Sequence, residues 1–318
     1  MLPQSDFALG LTLSQGFGDA GDMATAVKFL GVTEAEIADL SAKVVEALQQ
    51  KPLDLKELKS AVGNSIRNLG EEGKKRGVTT TLPLALGKLQ CSGEIRRVPV
   101  NGRLDQQRYK YVAWNPNPLA GSSLSKEAAQ TEMGRKYFDW TGPATLANFQ
   151  WHSGLGVKAA KDAVAPLGLM ELEDGYLILP KDAAAFEAFK APEAPDYRLV
   201  SSLDSLLLLR RDVLHHIDPH DAKRQVAGER GVLAEMGHLM DLSCNAIVDR
   251  GRIVGLWEFD SFANELVWMS FVKPDKDLKS AVEETEAFVR DDLEDCRSFS
   301  LDSPESRKPK IEALRKLG

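Results

Sequence analysis

Three short amphipathic segments and a tight hairpin follow one another without interruption between Ser125 and Pro180, and few folds use that order. Ser125 is placed to cap a helix whose apolar positions are Ala129, Met133, Tyr137 and Trp140, one face at i, i+4, i+8 and i+11. Thr141-Gly142-Pro143 breaks it. A short second helix turns Leu146 and Phe149 inward and stops at Ser153-Gly154. A third carries Val157, Ala160, Val164 and Leu167 on one face and ends at Gly168. Leu169 to Leu172, an Asp174-Gly175 turn and Tyr176 to Leu179 then predict a hairpin. This is the order of a winged helix, a fold whose third helix commonly enters a DNA groove. The same layout also serves as a protein-docking module.

The segment from Asp54 to Trp114 predicts the layout a second time. Leu55, Leu58 and Val62 belong to its first helix, Ile66 and Leu69 to its second, and Gly70 to Gly77 reads as a glycine-punctuated turn. Thr81 and Pro83 open the third helix, with Leu82, Leu86 and Leu89 inward. Glu94 to Val100, Asn101-Gly102 and Arg103 to Ala113 form the wing, because Asn-Gly between β-rich runs is a strong hairpin signal. The third helix offers only Lys88, Gln90 and three threonines, a set suited to phosphates rather than to base edges.

Charge sharpens this reading. The net charge of −7 argues against an electrostatic DNA binder taken as a whole. Between Gly63 and Trp114, however, ten Lys and Arg oppose four acids, a net of +6 that leaves −13 for the remainder. A basic segment on an acidic body can present a directional phosphate-binding face. The candidate DNA-contacting residues are Lys74, Lys75, Arg76, Lys88, Arg96, Arg97, Arg103, Arg108 and Lys110. Strand side chains alternate, so Arg96 shares a face with Val98 and Arg97 with Pro99, and only part of the set can follow one phosphate track. The bland alternative is a solvated hairpin with surplus arginine.

With 318 residues the chain can build two or three domains. Residues 1–50 read as helical, with Thr33 and Glu36 in a capping box before Ile37, Leu40, Val44, Ala47 and Leu48. The apolar stretch Phe7 to Leu13 needs a packing partner. Residues 51–114 and 124–190 are the two winged helices, separated by the Pro/Gly/Ser linker Asn115 to Ser123. Past Ala191-Pro192-Glu193-Ala194-Pro195, residues 196–318 form a mixed α/β domain. There Leu199 to Leu209 fits strand or helix, and Ala246 to Asp249, Arg250-Gly251 and Arg252 to Phe259 make a hairpin. Glu265 to Val272 adds a strand, Leu278 to Leu293 an acidic helix, and Asp302-Ser303-Pro304 opens a basic last helix. The expected class is α+β: tandem winged-helix domains followed by a β-rich α/β C-terminal domain.

No apolar run approaches the roughly 20 residues that span a bilayer, and no secretory pattern opens the chain. Cys91, Cys244 and Cys296 are far apart and odd in number, which suits a reducing cytoplasm and packing roles. A cytoplasmic monomer with no membrane partner is expected. His215-His216 and His220 suggest a metal, but Pro219 spoils the helix that would align them, and neither metal nor cofactor is expected. His152 reads as structural. Asp204 with Arg210-Arg211 looks like a fixed polar motif of undefined role.

Phe138-Asp139-Trp140-Thr141-Gly142-Pro143-Ala144-Thr145-Leu146-Ala147-Asn148-Phe149-Gln150-Trp151-His152-Ser153-Gly154-Leu155 resembles the central block of the crosslink-repair DNA glycosylase family of the AlkZ/YcaQ type. So do Leu203-Asp204-Ser205-Leu206 with Arg210-Arg211, and Ile247 to Glu258. The resemblance covers roughly residues 50 to 300 and implies tandem winged helices and a β-rich C-terminal domain around DNA, in enzymes that excise alkylated or crosslinked bases. Those enzymes position the attacking water with a Gln-apolar-Gln or Gln-apolar-Asp triplet in an N-terminal winged helix. No such triplet occurs here, and the chain is expected to begin after that element, so the catalytic residues are unknown. Three readings result: a DNA-binding relative without catalysis, a monofunctional glycosylase of alkylated or crosslinked bases, and protein docking through the acidic helix 278–293. Of the remaining polar groups, Gln15, Gln150 and Asp139 lack the triplet's spacing.

Overall fold

The computed structural model describes residues 2–15, 19–103, 105–106, 108–294, 296–298 and 302–318 of an α+β chain. Two compact units divide it, residues 1–132 and 133–318. The first contains α1 (Phe7–Ser14), α2 (Asp19–Leu30), α3 (Glu34–Gln50), α4 (Leu55–Val62), α5 (Gly70–Lys75), α6 (Leu82–Cys91), β1 (Ile95–Pro99) and β2 (Tyr109–Ala113). Helix α7 (Lys126–Thr141) runs across the division.

The first core forms because α3, α4 and α6 each bury one apolar face. Ile37, Leu40 and Val44 of α3, Leu58 of α4 and Leu82, Ala85 and Leu89 of α6 are almost wholly buried, together with Ile95 and Tyr111 of the hairpin. Full burial of each large aliphatic side chain contributes about 1.5–3 kcal/mol. Asp54 starts α4 with a reciprocal capping box to Glu57. At α3 only half of the expected box exists. Thr33 accepts from Glu36 N–H, while the Glu36 carboxylate turns to Arg67, a stronger charge-assisted partner.

Two expectations for this unit need correction. The short second helix lies at Gly70–Lys75 rather than around Ile66 and Leu69. Asn68 accepts from the Gly70 N–H, and Glu71 and Glu72 at the start with Lys74 and Lys75 at the end suit the helix dipole. The wing is not closed by a two-residue Asn-Gly turn. Pro99 pairs with Tyr109, and beyond that pair the Val100 N–H donates to the Arg108 carbonyl. There the Asn101 side chain accepts from Arg103 N–H, and Arg103 pairs with Asp105. Such local bonds compete with the strand ladder.

The second unit continues α7 with β3 (Ala144–Thr145), α8 (Leu146–Ser153), α9 (Val157–Val164), β4 (Met170–Glu171), β5 (Tyr176–Ile178) and α10 (Pro180–Ala188). Strand β5 lies between β3 and β4, so the expected hairpin gains a third strand. Asp174 and Gly175 both take positive φ, as a tight turn between right-twisted strands requires. Tyr137, Phe138, Phe149 and Ala160 form the centre of this core. A Cβ at Gly134 would lie 3.3 Å from Val164 Cγ1, so α7 and α9 approach closely there. The expected apolar stripes are off at two positions. Trp140 and Val157 are 56% and 58% exposed, and Phe138 and Ala163 take the inward places.

The rest of the unit comprises β6 (Tyr197–Val200), α11 (Ser205–Leu208), β7 (Gln225–Ala227), β8 (Leu233–Glu235), β9 (Asn245–Asp249), β10 (Arg252–Asp260), β11 (Glu265–Ser270), α12 (Lys276–Phe288) and α13 (Pro304–Leu317). The ambiguous stretch 199–209 is therefore strand, then a short helix. An antiparallel sheet in the order β11-β10-β9-β6 joins strands distant in sequence. Strand β10 slips register between Ile253 and Gly255, where a Cβ would meet Met269 O and Ile247. Helix α13 contributes Ile311, Ala313 and Leu314 to the core of this sheet.

Candidate nucleic-acid interface

The ten basic residues between Gly63 and Trp114 separate into two groups by what they touch. In the first group each cation already has a carboxylate. Lys74 and Lys75 on α5 and Arg76 just after it lie beside Glu71 and Glu72, and the Arg76 guanidinium stacks 4.1 Å from the Phe29 ring. Arg103 forks onto Asp105. Lys110 lies 3.3 Å from Glu57, whose carboxyl is held below its ordinary range by the Asp54 N–H and then by Lys110. Arg67 clamps Glu36 and reaches the carbonyls of Leu30 and Gly31, a structural duty.

The second group is Lys88, Arg96, Arg97 and Arg108, all exposed and without a carboxylate partner among the described residues. Arg96 and Arg97 leave β1 on opposite faces. Arg97 pairs in register with Tyr111 and lies 4.4 Å from the Tyr109 ring centre, and Arg96 lies 5.7 Å from that of Trp114. Burial pushes the Tyr111 hydroxyl up, against the opposing charge of Arg97. The aromatic supports Tyr109, Tyr111, Trp114 and Phe7 carry no charge and were not legible as site residues. Their signal is the alternation of Tyr109 and Tyr111 opposite Arg97. A guanidinium over an aromatic face keeps its hydrogen-bond donors at the rim, available to a phosphate.

In the second unit the family-like blocks meet each other. Tyr137 Oη donates to the Leu209 carbonyl at 2.9 Å, and Asn148 Nδ2 donates to the Arg210 carbonyl at 3.3 Å. Arg210 Nη2 donates to the carbonyls of Thr141 and Pro143. Asp204 caps α11 through the Leu206 N–H at 2.8 Å, and Arg211 forks onto Asp241 while stacking 4.2 Å from Trp151. The polar motif of undefined role is thus a staple for the turn after α7. Burial pushes the Tyr137 hydroxyl up to about 12 and lowers His152, whose ring lies 4.8 Å from that of Tyr137. Gln150 is partly exposed on α8. His216 is buried and His220 is exposed beside Asp218. Among the described residues no group of three metal-binding side chains is assembled, and no helix is long and apolar enough to cross a membrane.

The model of a family described as DNA glycosylase AlkZ-like matches residues 2–288. The DNA glycosylase AlkZ of Streptomyces sahachiroi shares the fold, with a TM-score of 0.53 over 88% of this chain and 71% of that one, at 18% identity. No curated protein sequence matches the chain.

Proposed function

The chain belongs to the AlkZ-like DNA glycosylase family, and from that premise we propose that it binds duplex DNA through the β1–β2 hairpin without excising a base. The observation that carries this reading is the set of exposed arginines without carboxylate partners among the described residues, Arg96, Arg97 and Arg108, on and beside a hairpin within a segment of net charge +6. On this reading residues 51–114 and 124–190 act as winged helices, and the protein works as a cytoplasmic monomer. Lys88 at the exposed side of α6 extends the phosphate contacts. Lys74, Lys75, Arg76, Arg103 and Lys110 contribute at longer range, since nearby carboxylates offset their charge.

Excision needs a polar group that holds water beside a developing positive charge on the sugar. Gln4-Ser5-Asp6 has the spacing of the family's Gln-apolar-Asp triplet, but its middle residue is polar. Its Asp6 is only 7% exposed. That departure supports binding without catalysis.

The test measures affinity for a duplex against salt concentration. Replacing Arg96, Arg97 and Arg108 with alanine reduces the slope of log K against log salt by about 0.9 for every phosphate that is no longer neutralised. An unchanged slope shows that these side chains do not meet DNA. Excess protein incubated with N7-methylguanine duplex and then treated with alkali yields no time-dependent strand breaks. Breaks that accumulate, and vanish on Gln4→Ala or Gln150→Ala, establish the glycosylase reading instead.

A further inference from the structure

A cleft of about 540 Å³ opens where the start of α1 lies against the base of the β1–β2 hairpin. That volume falls within the range of about 300–1,000 Å³ usual for small-ligand sites. Gln4, Ser5, Phe7, Arg96, Trp114 and Asn115 are among the residues that line it. We propose that this cleft receives an unpaired nucleobase of a DNA strand held by the hairpin, a proposal that rests on the DNA-binding reading above.

Three features point to this occupant. First, the Trp114 indole is fixed. Phe7 meets it edge-on at 5.1 Å and 76°, and the backbone beneath it is held by the Trp114 main-chain N–H, which donates to the Glu94 carbonyl at 2.8 Å. An indole held in place offers a stacking surface at little entropic cost. Second, among the described residues that line the cleft the one charged side chain is Arg96, which has no carboxylate partner among them. A base attached to a phosphate matches an aromatic wall beside a cation that carries no carboxylate, whereas an acid-rich or purely apolar ligand matches only half. Third, the Gln4 and Asn115 amides and the Ser5 hydroxyl supply donors and acceptors for a base edge, which a phosphate-only site would not need. The cleft also continues the proposed track. Register places Arg96 on the same hairpin face as Lys110, so a strand following that face arrives at Trp114.

The experiment uses the full chain and 2-aminopurine as the unpaired base in a short single-stranded overhang, with a blunt duplex of the same sequence as reference. The overhang binds more tightly than the blunt duplex by about tenfold, within the range that one base–aromatic stack produces, and the 2-aminopurine fluorescence is quenched. Trp114→Ala brings the ratio of overhang to blunt affinity close to one and abolishes quenching, and Trp114→Phe restores part of both. Ser5→Tyr fills the cleft from an exposed position, leaves the Phe7–Trp114 pair in place, and acts like Trp114→Ala. Equal binding of overhang and blunt duplex by the unaltered protein overturns the inference, as does a ratio that survives both Trp114→Ala and Ser5→Tyr. Free 2-aminopurine nucleotide that binds as tightly as the overhang overturns the assignment to a DNA strand. Loss is confined to this inference if the blunt duplex still binds with an arginine-dependent salt slope. If no DNA binds at low salt, the function proposed above falls with it.

Discussion

Two hairpins in this molecule follow similar successions of short helices and carry opposite chemistry. In the first unit β1 and β2 are five residues each and bear Arg96, Arg97 and Lys110, with Arg108 in the loop. In the second unit β4 and β5 are two and three residues long, exposed Glu171, Glu173 and Asp174 crowd their turn, and β3 closes the open edge of β5. Three arginines of the second unit lie elsewhere and are engaged. Arg210 holds the Thr141 and Pro143 carbonyls, Arg211 holds Asp241, and Arg250 holds Asp249 and two carbonyls. A shared order of elements therefore says little about function. What separates the hairpins is that the first bears arginines without carboxylate partners among the described residues, whereas the second bears only acids.

The sharpest way to break this contrast is to remove one arginine from each side. Arg210→Ala leaves the Thr141 and Pro143 carbonyls without their charged donor and unfastens the turn between α7 and β3. Hydrogen bonds to a charged group contribute about 1.5–3 kcal/mol, so the second unit loses about 3 kcal/mol of stability. Arg97→Ala, by contrast, changes stability by less than about 1 kcal/mol and weakens DNA binding. Urea midpoints and DNA affinities measured on both variants check the pair. An Arg210→Ala protein as stable as the parent would show that the staple is incidental.

Acid separates the units next. All five histidines lie in the second unit, at 152, 215, 216, 220 and 238. Burial lowers His152 and His216 below the ordinary histidine value. The unfolded chain takes up protons near about pH 6.5, while the folded rings refuse them until the pH is lower. The unfolded state thus binds more protons in that window, and stability falls as pH drops through it. Hydrogen exchange at about pH 7.5 and about pH 5.5, corrected for intrinsic rates, should show protection lost in peptides of residues 133–318 and retained in residues 1–132. His152→Gln reduces the loss. Equal loss in both units would remove histidine burial as its cause.

What was legible in the sequence was what local chemistry dictates. Thr33 and Ser125 cap their helices, Gly154 and Gly168 end α8 and the turn after α9 with positive φ, and Arg250-Gly251 turns β9 into β10. The failures come from competition and distance. Glycines hid α5, whose terminal charges outweigh them. The buried stripe of α7 passes through Phe138 rather than Trp140, because neighbouring residues on a helix differ by about 100° and packing chooses between them. At the interface, arginine content was legible but partnership was not. Arg103 and Lys110 have carboxylate partners and Arg96 and Arg97 have aromatic ones, and only the folded chain decides which. The role of Arg210 lay beyond local reasoning, since its acceptors are backbone carbonyls 67 and 69 residues away.

The smallest expected effect tests the acidic hairpin. Glu171→Gln, Glu173→Gln and Asp174→Asn together remove three charges from exposed positions, and asparagine tolerates the positive φ at 174. If this hairpin stays off the DNA, its acids act on phosphates only through solvent, where screening has a length of about 8 Å at physiological salt. The triple variant then gains at most about twofold in affinity, keeps the parental salt slope, and moves stability by about 0.5 kcal/mol or less. A steeper slope would mean that the acids repel phosphates at close range. The second hairpin would then lie against DNA as the first does, and the contrast between a binding wing and a structural one would fail.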